Sequence, residues 1–254
     1  LDPAPMLQVD TEQPGSITLT LRGSDGSLIA EHRHPVTVLA ANQWIVRELH
    51  LGLELLASFA QPQATALTPV LQRASDLLGQ SSGRTELDGY QSDNPARVDA
   101  MVAAIWDAVR ERDIRYAEPP ASWGLRGQKI RTPQEVLEGR LGTCLDTTLT
   151  LAALLEQIGI NSTLWMVDGH IFLGYWREDS SLGQPATTDI EEAVNLTKLG
   201  RISLLETTQV TGGAASATFD VARATPQAYL EARRDEILGI TDVRAARENG
   251  IFPL

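Results

Sequence analysis

Apolar and polar positions alternate in "SITLTLR" (16–22), the period of a half-buried strand. "GSDGS" then reads as a turn, and "LIAEHR" and "PVTVLA" as further strands. Two or three strands do not make a stable sheet alone. Residues 1–42 therefore read as the last strands of a β-sandwich, or as an edge sheet docked on the next domain. From Gln43 the period becomes helical. "ELHLGLELLASFA" sets Leu49, Leu53, Leu56 and Phe59 on one face. "ATALTPVLQRASDLLG" predicts a second helix, with Thr68-Pro69 breaking it or starting a turn and Gly79 ending it. After a polar loop, "NPARVDAMVAAIWDAVRERDI" is the clearest amphipathic stretch. Asn94 caps it, Pro95 takes its first position, and Val98, Val102, Ile105, Trp106 and Val109 form one stripe with Trp106 in the core.

"RYAEPPASWGLRGQKIR" contains Pro119-Pro120 and two glycines, and predicts a long shaped loop of the kind that carries function. "TPQEVLEGR" predicts a short helix with a capping box between Thr132 and Glu135 and Pro133 at the first position. Cys144 to Ile158 predicts a longer, largely buried helix ended by Gly159. "NSTLWMVDGHIFLGYWRED" predicts two apolar strands joined at Asp168-Gly169, and "RISLLETTQVT" a third. "TPQAYLEARRDEILGI" continues in a helical pattern and predicts a closing amphipathic helix.

With 254 residues, 43% hydrophobic and 21% charged, the chain can bury a sizeable core. No apolar run approaches the roughly 20 residues of a membrane span, and the N-terminus lacks the basic and apolar regions of a signal peptide. The missing initiator Met points to a processed chain or a piece of a longer one. A net charge of −12 repels phosphate backbones, and "RGQKIR" (126–131), with three basic residues, is the strongest basic patch against it. Direct nucleic-acid binding is not expected. One cysteine excludes an internal disulfide and any zinc site of several thiolates, and fits a reducing, cytoplasmic setting. His32 and His34 share one strand face without an acidic or Cys partner, so no metal is expected, and no phosphate-cradling glycine motif is present.

The chemistry gathers around the cysteine. Unpaired N–H groups and the dipole at a helix N-terminus favour an anion. A thiol there is a better nucleophile, and the same turn's N–H can face a developing oxyanion. A small buried hydrophobe is the alternative role for Cys144. His170 opens the second element after it, and an acid follows on the third, so three side chains can converge at one end of a sheet. A thiol–imidazole pair oriented by a carboxylate is the logic of acyl transfer. Glu206 in "LLETT" is the expected acid. Asp189 in "TTDIEEAV" is its competitor, with helix capping as its other role. Asp168 shapes its turn. Asp146 complements the helix dipole but disfavours a neighbouring thiolate.

"VLEGRLGTCLDTTLTLAALLEQIGI", "GHIFLGYW" and "LLETT" together resemble the transglutaminase-like superfamily of papain-type cysteine enzymes. "ELLASFAQPQ", "LDGYQSDNPARV", "AIWDAV", "YAEPPASWGLRGQKIRTPQEVL", "GTCLDT" and "DVRAARENGIFPL" resemble the N-terminal module of large bacterial superfamily I DNA/RNA helicase-like proteins. The resemblance covers the chain from about Trp44. It implies an α+β fold: a papain-like core of helices on a small antiparallel sheet (43–240), after the strands of a truncated β-sandwich (1–42) and before a linker (241–254). It implies Cys144 as nucleophile, His170 as base and acid, and Glu206 as orienting carboxylate, where the superfamily more often has Asp. Gln128 would supply a side-chain N–H to the oxyanion hole, and Trp123 would wall the cleft or sit in the core or a lid. The implied activity is that of a cysteine peptidase or acyl-transferase on amide or isopeptide bonds of a protein, with no cofactor. A catalytically silent interaction or sensor module is the other reading. The partner is then a protein substrate or the neighbouring domains of a parent chain, with no membrane involved.

Overall fold

Residues 13–38 close into one hairpin. β1 (Gln13–Arg22) pairs antiparallel with β2 (Leu28–Val38), from Gln13 opposite Val38 to Arg22 opposite Leu28. The two strands expected after the turn are a single one that runs through Pro35. A proline is tolerated where its missing N–H faces an open edge, and β2 has no second neighbour among the described residues. The structure, a computed structural model, describes residues 5–118 and 127–254. Trp123, Pro119-Pro120 and Arg126 lie outside them. The chain divides into a unit reaching Gln43, with Leu254, and a larger one, Trp44–Pro253. The short strand β3 (Gln43–Trp44) spans the division.

In the larger unit, α1 (Leu49–Leu56), α2 (Leu67–Ser82) and α3 (Pro95–Arg110) bury the expected faces. Leu53, Leu56, Val98, Val102, Ile105, Trp106 and Val109 are all at most 1% exposed. Pro69 lies in the first turn of α2, where a missing N–H costs no helical bond. Gly79 does not end α2. A glycine stops a helix by turning left-handed, and that residue is Gly83, at φ +71. Asn94 accepts from the Ala96 N–H at 2.9 Å ahead of Pro95.

Two short strands, β4 (Arg115–Tyr116) and β5 (Gln128–Lys129), precede α4 (Pro133–Gly139), whose Thr132–Glu135 capping box is fully formed. β6 (Leu141–Gly142) pairs parallel with β4 and leads into α5 (Cys144–Gln157). Next along the chain come β7 (Ser162–Val167), β8 (His170–Trp176), β9 (Ala186–Thr187), α6 (Glu191–Lys198) and β10 (Ile202–Leu205). The chain ends through α7 (Phe219–Ala224), α8 (Gln227–Ala232), β11 (Ile237–Asp242) and α9 (Val243–Glu248). Five of the strands form one antiparallel sheet in the order β10-β8-β7-β11-β9.

Both faces of that sheet are covered, which is why β7 and β8 read as unbroken apolar runs. Leu164, Met166, Ile171, Leu173 and Tyr175 join the cluster that holds α5. Trp165, Val167, Phe172 and Trp176 join a second cluster with Ala193 and Val194 of α6 and Leu230 of α8. α5 itself is buried from Cys144 to Leu155, its polar side chains Asp146, Thr147, Thr148 and Thr150 all hydrogen-bonded.

The expected closing helix is shorter than its pattern. α8 stops at Ala232, and "ILGITD" instead enters the sheet between β7 and β9. Ile240 pairs with Trp165 on one side and Thr187 on the other. A Cβ on Gly239 would lie 2.4 Å from Leu53 Cδ1, so the glycine permits α1 to approach. The segment expected as a linker from residue 241 completes β11 and forms α9. Val243, Ala245 and Ala246 are buried, and Arg247 pairs with Glu156 at 2.8 Å. The described residues thus have a mixed α+β fold. None of their helices is long and apolar enough to cross a membrane.

Candidate active site

Cys144 is the first residue of α5 and is 1% exposed. Its turn is built by a second capping box. The Thr143 hydroxyl accepts from the Asp146 N–H at 3.2 Å, and Asp146 Oδ2 accepts from the Thr143 N–H at 2.9 Å. Asp146 also accepts from the Arg131 N–H at 2.8 Å and from Arg131 Nη1 at 2.9 Å. The carboxylate expected to oppose a thiolate is therefore compensated by a guanidinium. Behind the turn, Thr147 and Thr148 both reach the Thr207 hydroxyl, at 3.2 and 2.7 Å. These buried contacts tie the start of α5 to the residues just after Glu206.

His170 opens β8, after the turn in which Gly169 takes φ +72. Glu206 lies one residue past the end of β10, which pairs with β8. Its Oε2 meets His170 Nε2 at 2.8 Å. Its Oε1 accepts from the Thr208 N–H at 3.0 Å and the Thr208 hydroxyl at 2.7 Å. Both oxygens are engaged. With Nε2 on Glu206, Nδ1 is the ring nitrogen left for other partners, and Cys144 is near enough to act on the ring's protonation. Burial works against the imidazolium, but the bonds and charges of Cys144 and Glu206 outweigh it and raise His170 to about 10.

Gln128 on β5 is 4% exposed. Its Nε2 donates to the Thr143 hydroxyl at 3.1 Å, while its Oε1 is buried without a partner. A half-turn of the terminal amide would exchange the two. Oε1 would then accept from the Thr143 hydroxyl, and the NH₂ would occupy the open position. Asp189 does not join the site. Its carboxylate accepts from the Glu191 N–H at the start of α6. Asp168 is exposed in its turn. Trp106 is in the core, with its indole N–H on the Ala217 carbonyl. His32 and His34 are exposed on β2 opposite Leu19 and Ile17. Among the described residues no cluster of three or more His, Cys, Asp or Glu side chains could hold a metal.

One neighbour of the cysteine turn carries no sequence signal. Tyr116 on β4 pairs with Gly142, two residues before Cys144. Burial first, then the charge of Cys144, push the phenol up to about 12. Only the parallel pairing of β4 with β6 brings it there.

The His170–Glu206 pair has a consequence for stability. The folded state holds the His170 proton more tightly than the unfolded chain, so between about 6.5 and 10 it binds more protons. The stabilisation is complete below about 6.5 and is lost as pH rises through about 10. Glu206→Gln is expected to flatten this decline. Urea melts at pH 6 and pH 9.5 check it. An equal fall in both proteins would show that the pair does not hold the proton.

No family model matches the chain, and no curated protein matches it.

Proposed function

We propose that the chain is a thiol enzyme of the transglutaminase-like, papain-type kind, acting as a peptidase or acyl-transferase on amide or isopeptide bonds of a protein. The observation that carries this is the group Cys144, His170 and Glu206: a thiol at a helix N-terminus that acts on an imidazole whose Nε2 is 2.8 Å from a buried carboxylate. His170, raised to about 10, is an imidazolium at neutral pH and a counter-ion for a thiolate. In the proposed reaction the sulfur attacks the carbonyl carbon, and the C=O electron pair moves onto oxygen. The first-turn N–H groups of α5 that the Thr143–Asp146 capping box does not use face that charge. The C–N bond then breaks, the His170 proton goes to the departing nitrogen, and a thioester remains. Water or an acceptor amine resolves it, with His170 now taking the proton.

The sheet with α5 on one face supports a papain-like core. The three groups need no cofactor for this chemistry. A protein substrate or a neighbouring domain of a longer helicase-type chain suits a chain of charge −12, in a cytoplasmic setting and without direct nucleic-acid contact. A silent interaction module is the second reading, and the 1% exposure of Cys144 favours it, because a substrate needs a route to the sulfur.

Two rates decide between them. The wild-type protein is expected to react with iodoacetamide at pH 6 to 7 faster than N-acetylcysteine does, and to release a burst of nitrophenolate from p-nitrophenyl acetate. Alkylation no faster than that of the free thiol, with no burst, would establish the silent reading.

A further inference from the structure

Thr143 immediately precedes the cysteine and is buried. Its backbone is pinned from both ends. The N–H donates to Asp146 Oδ2 at 2.9 Å, and the carbonyl accepts from the Thr147 N–H and the Thr147 hydroxyl, each at 3.0 Å. Its hydroxyl oxygen accepts twice, from the Asp146 N–H at 3.2 Å and from Gln128 Nε2 at 3.1 Å. Two acceptances fill both lone pairs, and the one hydroxyl proton then has no acceptor among the described residues. On the same amide, Gln128 Oε1 is buried and has no donor. A buried donor and a buried acceptor are thus both unpaired within one amide's reach of each other, which is the costlier of two arrangements. The half-turn of the Gln128 amide joins them in one bond.

We propose that Thr143 is the positioning residue of the oxyanion site: its hydroxyl donates to Gln128 Oε1 and so turns the Gln128 NH₂ toward the substrate carbonyl oxygen. The assignment rests on the acyl-transfer reading of the site. As the N-cap of α5, the hydroxyl oxygen is held in place by the Asp146 N–H. Its proton is therefore free to serve the amide and nothing else nearby. An NH₂ oriented in advance needs no reorganisation when charge develops on the carbonyl oxygen. No proton leaves the threonine or the amide, and the departing nitrogen still takes its proton from His170.

Thr143→Val removes the hydroxyl and keeps the shape. Acylation by p-nitrophenyl acetate builds an oxyanion and displacement on iodoacetamide does not, so the ratio of the two rates reads the donor apart from the thiol. Thr143→Val is expected to lower that ratio about 10- to 100-fold, and Thr143→Ser to keep it. Gln128→Ala should lower it as far, and the double variant Thr143→Val/Gln128→Ala no further, because the threonine acts through the amide. Should valine cost the fold, Thr143→Asn and Thr143→Asp form a second pair. Both side chains cap a helix, but only asparagine has an N–H to offer Oε1. Asparagine should keep the ratio and aspartate lose it. An unchanged ratio in Thr143→Val, a loss in Thr143→Ser, a double variant that falls by the product of the single losses, or equal ratios in the second pair overturns the assignment alone. A wild-type protein that p-nitrophenyl acetate does not acylate overturns the acyl-transfer reading and this assignment with it.

Discussion

Serine at Cys144 is expected to lower acylation by p-nitrophenyl acetate at least about 10³-fold at pH 7, although it is nearly isosteric with cysteine. The reason lies in the histidine. His170, raised to about 10 by Glu206 and by Cys144 itself, already carries its proton at neutral pH. It can stabilise an ionised nucleophile, but it has no free nitrogen to deprotonate a hydroxyl. Part of that rise disappears with the thiol, yet the Glu206 bond at 2.8 Å remains. His170→Ala is expected to fall in the same range, and the double variant no further, since the two act as one unit. The chain has one cysteine, so thiol labelling of Cys144→Ser should read zero and serve as its own control. More than a tenth of the wild-type rate in Cys144→Ser would place the reacting group elsewhere. The pH profile gives a second reading. With an amide substrate the rate should decline as pH rises toward about 10, because the departing nitrogen loses the proton of His170. A nitrophenyl ester, whose leaving group needs no proton, should not show that limb.

What the sequence revealed and what it hid divide by distance along the chain. Asn94-Pro95, Thr132 with Glu135, and the Asp168-Gly169 turn are short-range devices whose partners lie within a few residues, so pattern alone finds them. The spacing of Cys144, His170 and Glu206 was readable as a pattern because two of them open elements and the third follows directly on a strand of one compact run. β11 was not legible. "ARRDE" carries the helical pattern of α8 forward, and the next residues become a strand only because β7 and β9 offer both edges. Tyr116 depends on the β4–β6 pairing in the same way. Arg131 misled in the opposite direction. It belongs to the run read as a basic patch, yet its charge turns inward to Asp146. The threonine contacts to Thr207 were invisible too, since nothing in "TTLT" says which hydroxyls meet across the site.

Alanine at Asp146 is expected to cost about 2–4 kcal/mol of folding stability. The carboxylate is 0% exposed and accepts three bonds, from the N–H groups of Arg131 and Thr143 and from the Arg131 guanidinium. Its removal leaves the Thr143 N–H buried without a partner, and an unpaired buried donor costs about 1–3 kcal/mol. The ion pair adds less than a fully buried one would, because the Arg131 side chain is 38% exposed and water screens it. Asp146→Asn keeps an acceptor for one backbone N–H and loses the charge, so it should fall between alanine and wild type. The damage should also reach the chemistry. Asp146, together with the Gln128–Thr143 bond, ties the Arg131 segment to the first turn of α5. Loosening it moves both the candidate oxyanion groups and the sulfur. Alkylation of Cys144 should therefore slow in Asp146→Ala even at temperatures where the protein stays folded. Arg131→Met supplies the contrast, since it removes the guanidinium and keeps the backbone bond at 2.8 Å. It should cost less than alanine at 146 and leave the cysteine turn intact. Urea midpoints for the three variants, with alkylation rates at one pH, decide the matter. Asp146→Ala within about 1 kcal/mol of wild type, less than one unpaired buried donor should cost, would mean that the turn holding Cys144 is set by Thr143 and the helix alone.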